Sequence, residues 1–281
     1  MARGRHAPGG SLGTRKPRLE PVLRRAWRLL AVLALPAGLG LAAPGAWART
    51  AEEALAEGDR HYAAARLEDA RRAYAEAVLA SPADMTALCR LARAESELGE
   101  LQKGDEQRRT WADAVAHARE AVRVAPERAE PHAWLAVTLG RQALREGPRA
   151  KLALSREIKA ETDLALTRDP ENARAWHVLA MWNVKLASLN FVERLAANAV
   201  LGCVPKGASY ENADKAFQKS IAFEPASVIH RLEYGRLLRE MKRPADARRE
   251  LEKAVALAAT SSALDERYQA EARALLEKLE R

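Results

Sequence analysis

Between residues 51 and 280 the apolar positions recur every three to four residues, with charged residues filling the intervals, which is the signature of amphipathic helices rather than strands. Four prolines punctuate this pattern: Pro82 in LASPAD, Pro126 in RVAPER, Pro170 in TRDPEN and Pro225 in AFEPAS. Each follows one apolar-periodic stretch and precedes another, so each reads as a stop between two helices. Large-small pairs stand at matching places in four of the intervening stretches: Leu91-Ala92, Leu135-Ala136, Leu179-Ala180 and Tyr234-Gly235. Ala77, Ala121, Ala165 and Ser220 each lie five residues before a proline. Small residues let antiparallel helices approach closely while the large ones fill the groove beside them. The pattern predicts five helical hairpins.

The spacing Gly58, Ala70, Tyr74, Ala77, Pro82 resembles a tetratricopeptide repeat (TPR), and Tyr234-Gly235, Ala247, Leu251, Ala254 repeats it in a frame of standard length from Val228 to about Ser261. The resemblance implies an all-α, right-handed TPR-like α-solenoid of five helical hairpins with a C-terminal capping helix. Units are expected at about 51–84, 85–128, 129–172, 173–227 and 228–261, with a cap at 263–280. Intervals of 44, 44 and 55 residues between the prolines exceed the repeat period of about 34. The first two surpluses are expected to lengthen both helices of their hairpins by about 1.4 turns each. Gly99 to Gly104 and Glu146 to Pro148 are the strong turn signals there. The third surplus reads as an extra segment at 188–209, where Asn190 and Glu193 have capping-box spacing ahead of an apolar run that halts at Gly202-Cys203-Val204-Pro205.

Composition supports an all-helical chain, since 61 of 281 residues are Ala, the best helix former. Charge changes the picture only at one end. Of 46 Lys and Arg and 38 Asp and Glu, residues 1–48 hold eight bases and one acid, so almost all of the net +8 lies there. A basic body that tracks nucleic-acid phosphates is thereby set aside. After Arg24, Arg25 and Arg28 comes an apolar run, Leu29 to Ala43, ending in Ala46-Trp47-Ala48, which reads as a secretory signal cleaved after Ala48. The polar stretch ahead of it suggests translation starting near Val22. Export to the periplasm is the expectation, with membrane contact only through the signal if it stays uncleaved. Cys89 and Cys203 are too few and too far apart for a disulfide framework and read as small buried residues.

Chemistry-bearing motifs do not emerge. Pro205-Lys206-Gly207-Ala208-Ser209 lacks the order of a phosphate loop, and there is neither a Gly-x-Ser-x-Gly elbow nor a His-Glu-x-x-His pair. The histidines at 6, 61, 117, 132, 177 and 230 have no metal-ligand spacing. No catalytic residue, metal or cofactor is expected. A stack of hairpins presents a concave wall built from the first helix of each unit, and that wall is the usual binding surface of such arrays. The register projects Tyr62, Arg93, Val137, His177, Met181, Lys185, Arg236 and Arg239 onto it. Lys185, Arg236 and Arg239 could hold carboxylates of an extended peptide, or pair with Glu233 and Glu240 as ordinary surface charges. Both readings stand at this point. So do two for the apolar insert: Phe191, Leu195 and Leu201 either fold over the groove or form a docking patch.

From Ser155 to Leu279, SREIKAETDLALTRDPENARAWHVLAMWN, LNFVERLAANAVLGCVPKGASYENADKAFQKSIAFEP and HRLEYGRLLRE resemble the regulator of microtubule dynamics family in its bacterial form. Residues 51–128 resemble TPRs in general. The family resemblance implies a helical-repeat protein that binds other proteins and, for eukaryotic members, an association with microtubules. An export signal sets that last partner aside. The expected function is a non-catalytic, exported scaffold that holds a protein or peptide on its concave surface. Its rivals are a self-associating structural protein, hence a homo-oligomer, and an enzyme accessory subunit.

Overall fold

The computed structural model describes residues 49–190, 194, 195, 198, 207–260 and 262–279. The expected signal at 1–48, Cys203 and most of the insert, including Phe191 and Leu201, lie outside the described residues. Within them are eleven helices and no strand. They pair as α1 (Ala51–Ala63) with α2 (Leu67–Ala80), α3 (Met85–Leu101) with α4 (Gly104–Val124), and α5 (Ala129–Ala143) with α6 (Pro148–Arg168). Two more hairpins follow, α7 (Ala173–Ala187) with α8 (Tyr210–Phe223) and α9 (Val228–Glu240) with α10 (Pro244–Ala256), and α11 (Asp265–Leu279) caps the stack.

Local chemistry starts and stops these helices. Thr50 and Glu53 form a reciprocal capping box at α1, while Asp84, Asn172 and Ser209 cap α3, α7 and α8 through their side-chain oxygens. Pro148 and Pro244 open α6 and α10, where a missing N–H costs no helical bond. The four prolines sit in one recurring turn. The residue before each closes its helix on the carbonyl of Ala77, Ala121, Ala165 or Ser220, at 2.9 to 3.0 Å. Its own carbonyl then accepts from the N–H three residues on: Asp84, Arg128, Asn172 and Ser227. Proline at the second position of such a turn is pre-set for it. All four small residues have no exposed surface, so the same position that ends one helix seats it against its partner.

Two expectations are corrected. The surplus residues of the second and third units are not shared evenly: α3 and α5 have 17 and 15 residues, but α4 and α6 have 21 each. The split follows where the chain can turn. Gly104 adopts φ +62° just after α3, and Gly147-Pro148 starts α6 soon after α5 ends. Gly99, read above as a turn signal, is buried within α3. A Cβ there would stand 2.3 Å from Trp111 Nε1, so its missing side chain makes room for the α4 indole, which donates to the Ser96 carbonyl at 3.0 Å. Gly58 does the same for Tyr74 in the first hairpin.

The array does not end at its fifth hairpin. Leu264, Tyr268 and Ala272 of the cap share an apolar cluster with Val228 and Leu232 of α9, Leu251 and Ala254 of α10, and Leu67 at the start of α2. Tyr62 of α1 and Leu98 of α3 pack against the same cluster. The cap therefore reaches from the last hairpin to the first two.

Candidate concave binding surface

On the side of the wall formed by α1, α3 and α5, the charged groups that face the cap have counterparts. Tyr62 Oη donates to both Glu97 oxygens, at 2.6 and 2.7 Å, and accepts from the Ala263 N–H at 3.2 Å. The Arg93 guanidinium lies 4.1 Å over the Tyr62 ring, with its Nε 3.4 Å from Glu97. Burial pushes the Glu97 carboxyl above the usual carboxylate range, against the opposing pull of Arg93. One turn on, Glu100 pairs with Arg141 of α5, accepts from Tyr268 Oη at 2.9 Å, and offers its backbone carbonyl to Arg267 at 2.9 Å. These bonds join α3, α5 and the cap.

Arg236 belongs to this satisfied region. Its guanidinium reaches Glu233 and, from the cap, Glu271, each at 2.5 Å. Arg239 lies 3.5 Å from Glu240. The two arginines thus have acids of their own chain beside them, in the geometry of the surface-charge reading.

Helix α7 differs. The Arg174 guanidinium carbon lies over Trp134 at 3.9 Å from the ring centre, and that of Arg93 approaches the same indole at 5.8 Å. Among the described residues no carboxylate lies within 4.0 Å of Arg174 or Lys185. Burial, and then the neighbouring Arg93, holds the Arg174 guanidinium below its ordinary value. His177, one turn on, is stacked on His230 at 4.7 Å and meets Phe217 edge-on at 5.5 Å. Its Nδ1 is buried with no hydrogen-bond partner, and burial with the nearby Arg141 and Arg174 drives its pKa down to about 3. Met181 packs against the cluster around Phe217, and Lys185 is exposed.

The other candidates are placed as follows. Val137 packs beside Trp134. Trp182 is a core residue that donates to the Ser155 carbonyl at 2.9 Å, while Trp176 donates to the Pro170 carbonyl at 2.7 Å. Leu195 is 57% exposed. The arrangement nearest to a nucleophile and its base is Ser220 Oγ, 2.8 Å from His230 Nδ1. Ser220 has no exposed surface, so no substrate carbonyl reaches it. Among the described residues no three His, Cys, Asp or Glu converge on a metal position.

Sequence reasoning missed Glu97, Glu100, Arg141 and Arg174. A helical signal for three of them existed: Glu97 follows Arg93 by four residues, Arg141 follows Val137 by four, and Arg174 precedes His177 by three.

The sequence profile described as regulator of microtubule dynamics protein 1-3 matches residues 52–280. The chain belongs to this family. Membership extends across the first three hairpins, beyond the stretch from Ser155 that carries the resemblance most visibly. Protein 3 of the family from Rattus norvegicus is 28% identical over 164 residues, covering 58% of this chain and 35% of the relative. Protein 1 from Bos taurus is 28% identical over 144 residues, covering 50% and 45%. The chain thus spans between a third and a half of the curated relatives' length. Among solved structures, a TPR protein of Thermus thermophilus superposes with a TM-score of 0.57 at 19% identity, covering 79% of this chain and 98% of that one. Yeast Tom70 superposes at 0.50 with 13% identity, covering 82% and 40%. These likenesses establish a TPR-like α-solenoid fold.

Proposed function

We propose that the protein is an exported, non-catalytic scaffold that holds an extended segment of another polypeptide against its concave wall. The observation that carries this reading is the face of α7. In a wall whose other cations have acids of the same chain beside them, Arg174 and Lys185 have none within ion-pair distance among the described residues. Unmatched charge flanking an apolar step, here Met181, suits a partner that brings both kinds of group. Support for export comes from the apolar run at Leu29 to Ala43 behind Arg24, Arg25 and Arg28. Among the described residues no helix is long and apolar enough to cross a membrane.

The test is a photo-crosslinking amino acid placed at Met181 of the full chain, with a second version at Leu79, 81% exposed on α2, as reference. The proposal expects adducts from Met181 that disappear with Lys185→Glu. Adducts from Leu79 alone would overturn it, and adducts of the chain with itself, matched by a doubled mass in light scattering, would replace it with self-association. N-terminal sequencing of the exported fraction should begin at Arg49.

A further inference from the structure

We propose that the corner of the wall where Arg174 and Arg93 meet over Trp134 anchors a carboxylate side chain, so that the segment held there is an acidic peptide. This rests on reading the wall as a polypeptide-binding surface and names the chemistry of what it takes.

Three observations converge on the corner. First, two guanidinium groups approach one indole, at 3.9 and 5.8 Å from its centre. A guanidinium held over an aromatic ring can still offer its N–H donors to a carboxylate. Second, the counter-charge is missing. Glu130 and Glu224 are the acids whose charge acts on Arg174, and neither comes within 4.0 Å of it. A charge that is partly desolvated and unmatched costs stability, so its retention is explained when a ligand supplies the match. Third, Arg174 also lines a cavity, one that Trp134 and Arg93 do not border. Its volume is about 460 Å³, and Arg128, Arg168 and Asn172 line it with Arg174. Its acids are Glu127, Glu130 and Asp169. Glu127 is engaged by Arg168 at 2.8 Å, and Asp169 accepts from the Glu171 N–H at 3.0 Å. Glu130 remains exposed at the rim, without an ion pair among the described residues. The unpartnered Nδ1 of the neutral His177 lies one turn farther along α7, and Lys185 adds a second positive charge two further turns on.

Other partially buried anions fit a guanidinium too. A peptide carboxylate is favoured because Met181 offers an apolar contact between Arg174 and Lys185, a length of surface that a lone anion would leave unused.

Fluorescence anisotropy of two labelled peptides against the full chain tests this: a Glu-Ala dodecapeptide and its Gln-Ala counterpart. The proposal expects the acidic peptide to bind about tenfold more tightly at 0.1 M salt, the worth of one charge-assisted pair. Arg174→Gln should reduce that preference to about twofold, Glu130→Gln should raise it two- to threefold, and Arg123→Gln on the outer face should leave it unchanged. Circular dichroism melting of Arg174→Gln, expected no lower than that of the parent because an unmatched charge is removed, separates lost binding from lost fold. Equal affinity for the two peptides, or a preference that survives Arg174→Gln, overturns the carboxylate anchor. If both peptides bind equally and Met181→Glu removes both, the wall still binds polypeptide and only the anchor falls. If neither peptide binds and Met181 yields no adducts, the binding-surface reading falls and the anchor with it.

Discussion

The two sides of the concave wall use the same residue types for opposite ends. On the side of α3 and α5, the cap brings Tyr268 and Arg267 to Glu100, and Ala263 to Tyr62, so Glu97, Glu100, Arg93 and Arg141 are all answered from within the chain. On α7, Arg174 and Lys185 are left without an acid at ion-pair distance among the described residues, and a buried imidazole nitrogen is left without a bond. An internally answered charge network ties elements together. An unanswered one leaves binding energy available to something else. Side-chain identity alone does not distinguish them, since arginine is prominent in both.

If that contrast is right, the largest loss should come from the answered side. Glu100→Ala strands Arg141 and removes the acceptor of Tyr268, and urea unfolding should record a loss of about 3 kcal/mol. The next effect belongs to pH. His177 is depressed to about 3 in the folded state and near 6.5 when unfolded, so its contribution is complete above pH 6.5 and is lost as pH falls toward 3. Stability should drop by about 2 kcal/mol between pH 7 and pH 5 from this group alone. His230, lowered by burial and by its stacked partner, adds in the same direction. A His177→Leu, His230→Leu double variant should flatten the slope; a slope left unchanged would mean the stack does not titrate with folding. Tyr62→Phe removes the donor to Glu97 and the acceptor of Ala263, for about 1.5 kcal/mol in chemical denaturation. Smallest of all, Lys185→Gln should change stability by under about 0.5 kcal/mol, because the exposed ammonium has no ion pair among the described residues and acts on Glu233 only from a distance. A large effect there would erase the contrast.

Much of the architecture was legible because its signals are local. Pro82, Pro126, Pro170 and Pro225 each specify a turn within four residues, and the small residue five positions earlier is fixed by the same geometry. Gly99 misled because a glycine serves equally as a turn and as room for a neighbour's ring, and only the position of Trp111 decides between them. The cap's reach was beyond sequence reasoning. Arg267 and Glu100 are 167 residues apart, and Ala263 and Tyr62 are 201 apart, brought together by rotation accumulated over five units. For the same reason the sequence left both readings of Arg236 open: its second acid, Glu271, is 35 residues away on a helix expected only to shield the end.

Linear repeat arrays come apart from their ends, because a terminal unit has one neighbour instead of two. Here the last helix is fastened to the first two hairpins through Tyr62 and Glu100, so neither terminus is a free place for fraying to begin. Amide protons in α1 and α11 should therefore exchange on the slow timescale of the middle units, and the whole should melt as one cooperative body rather than by successive loss of its pieces.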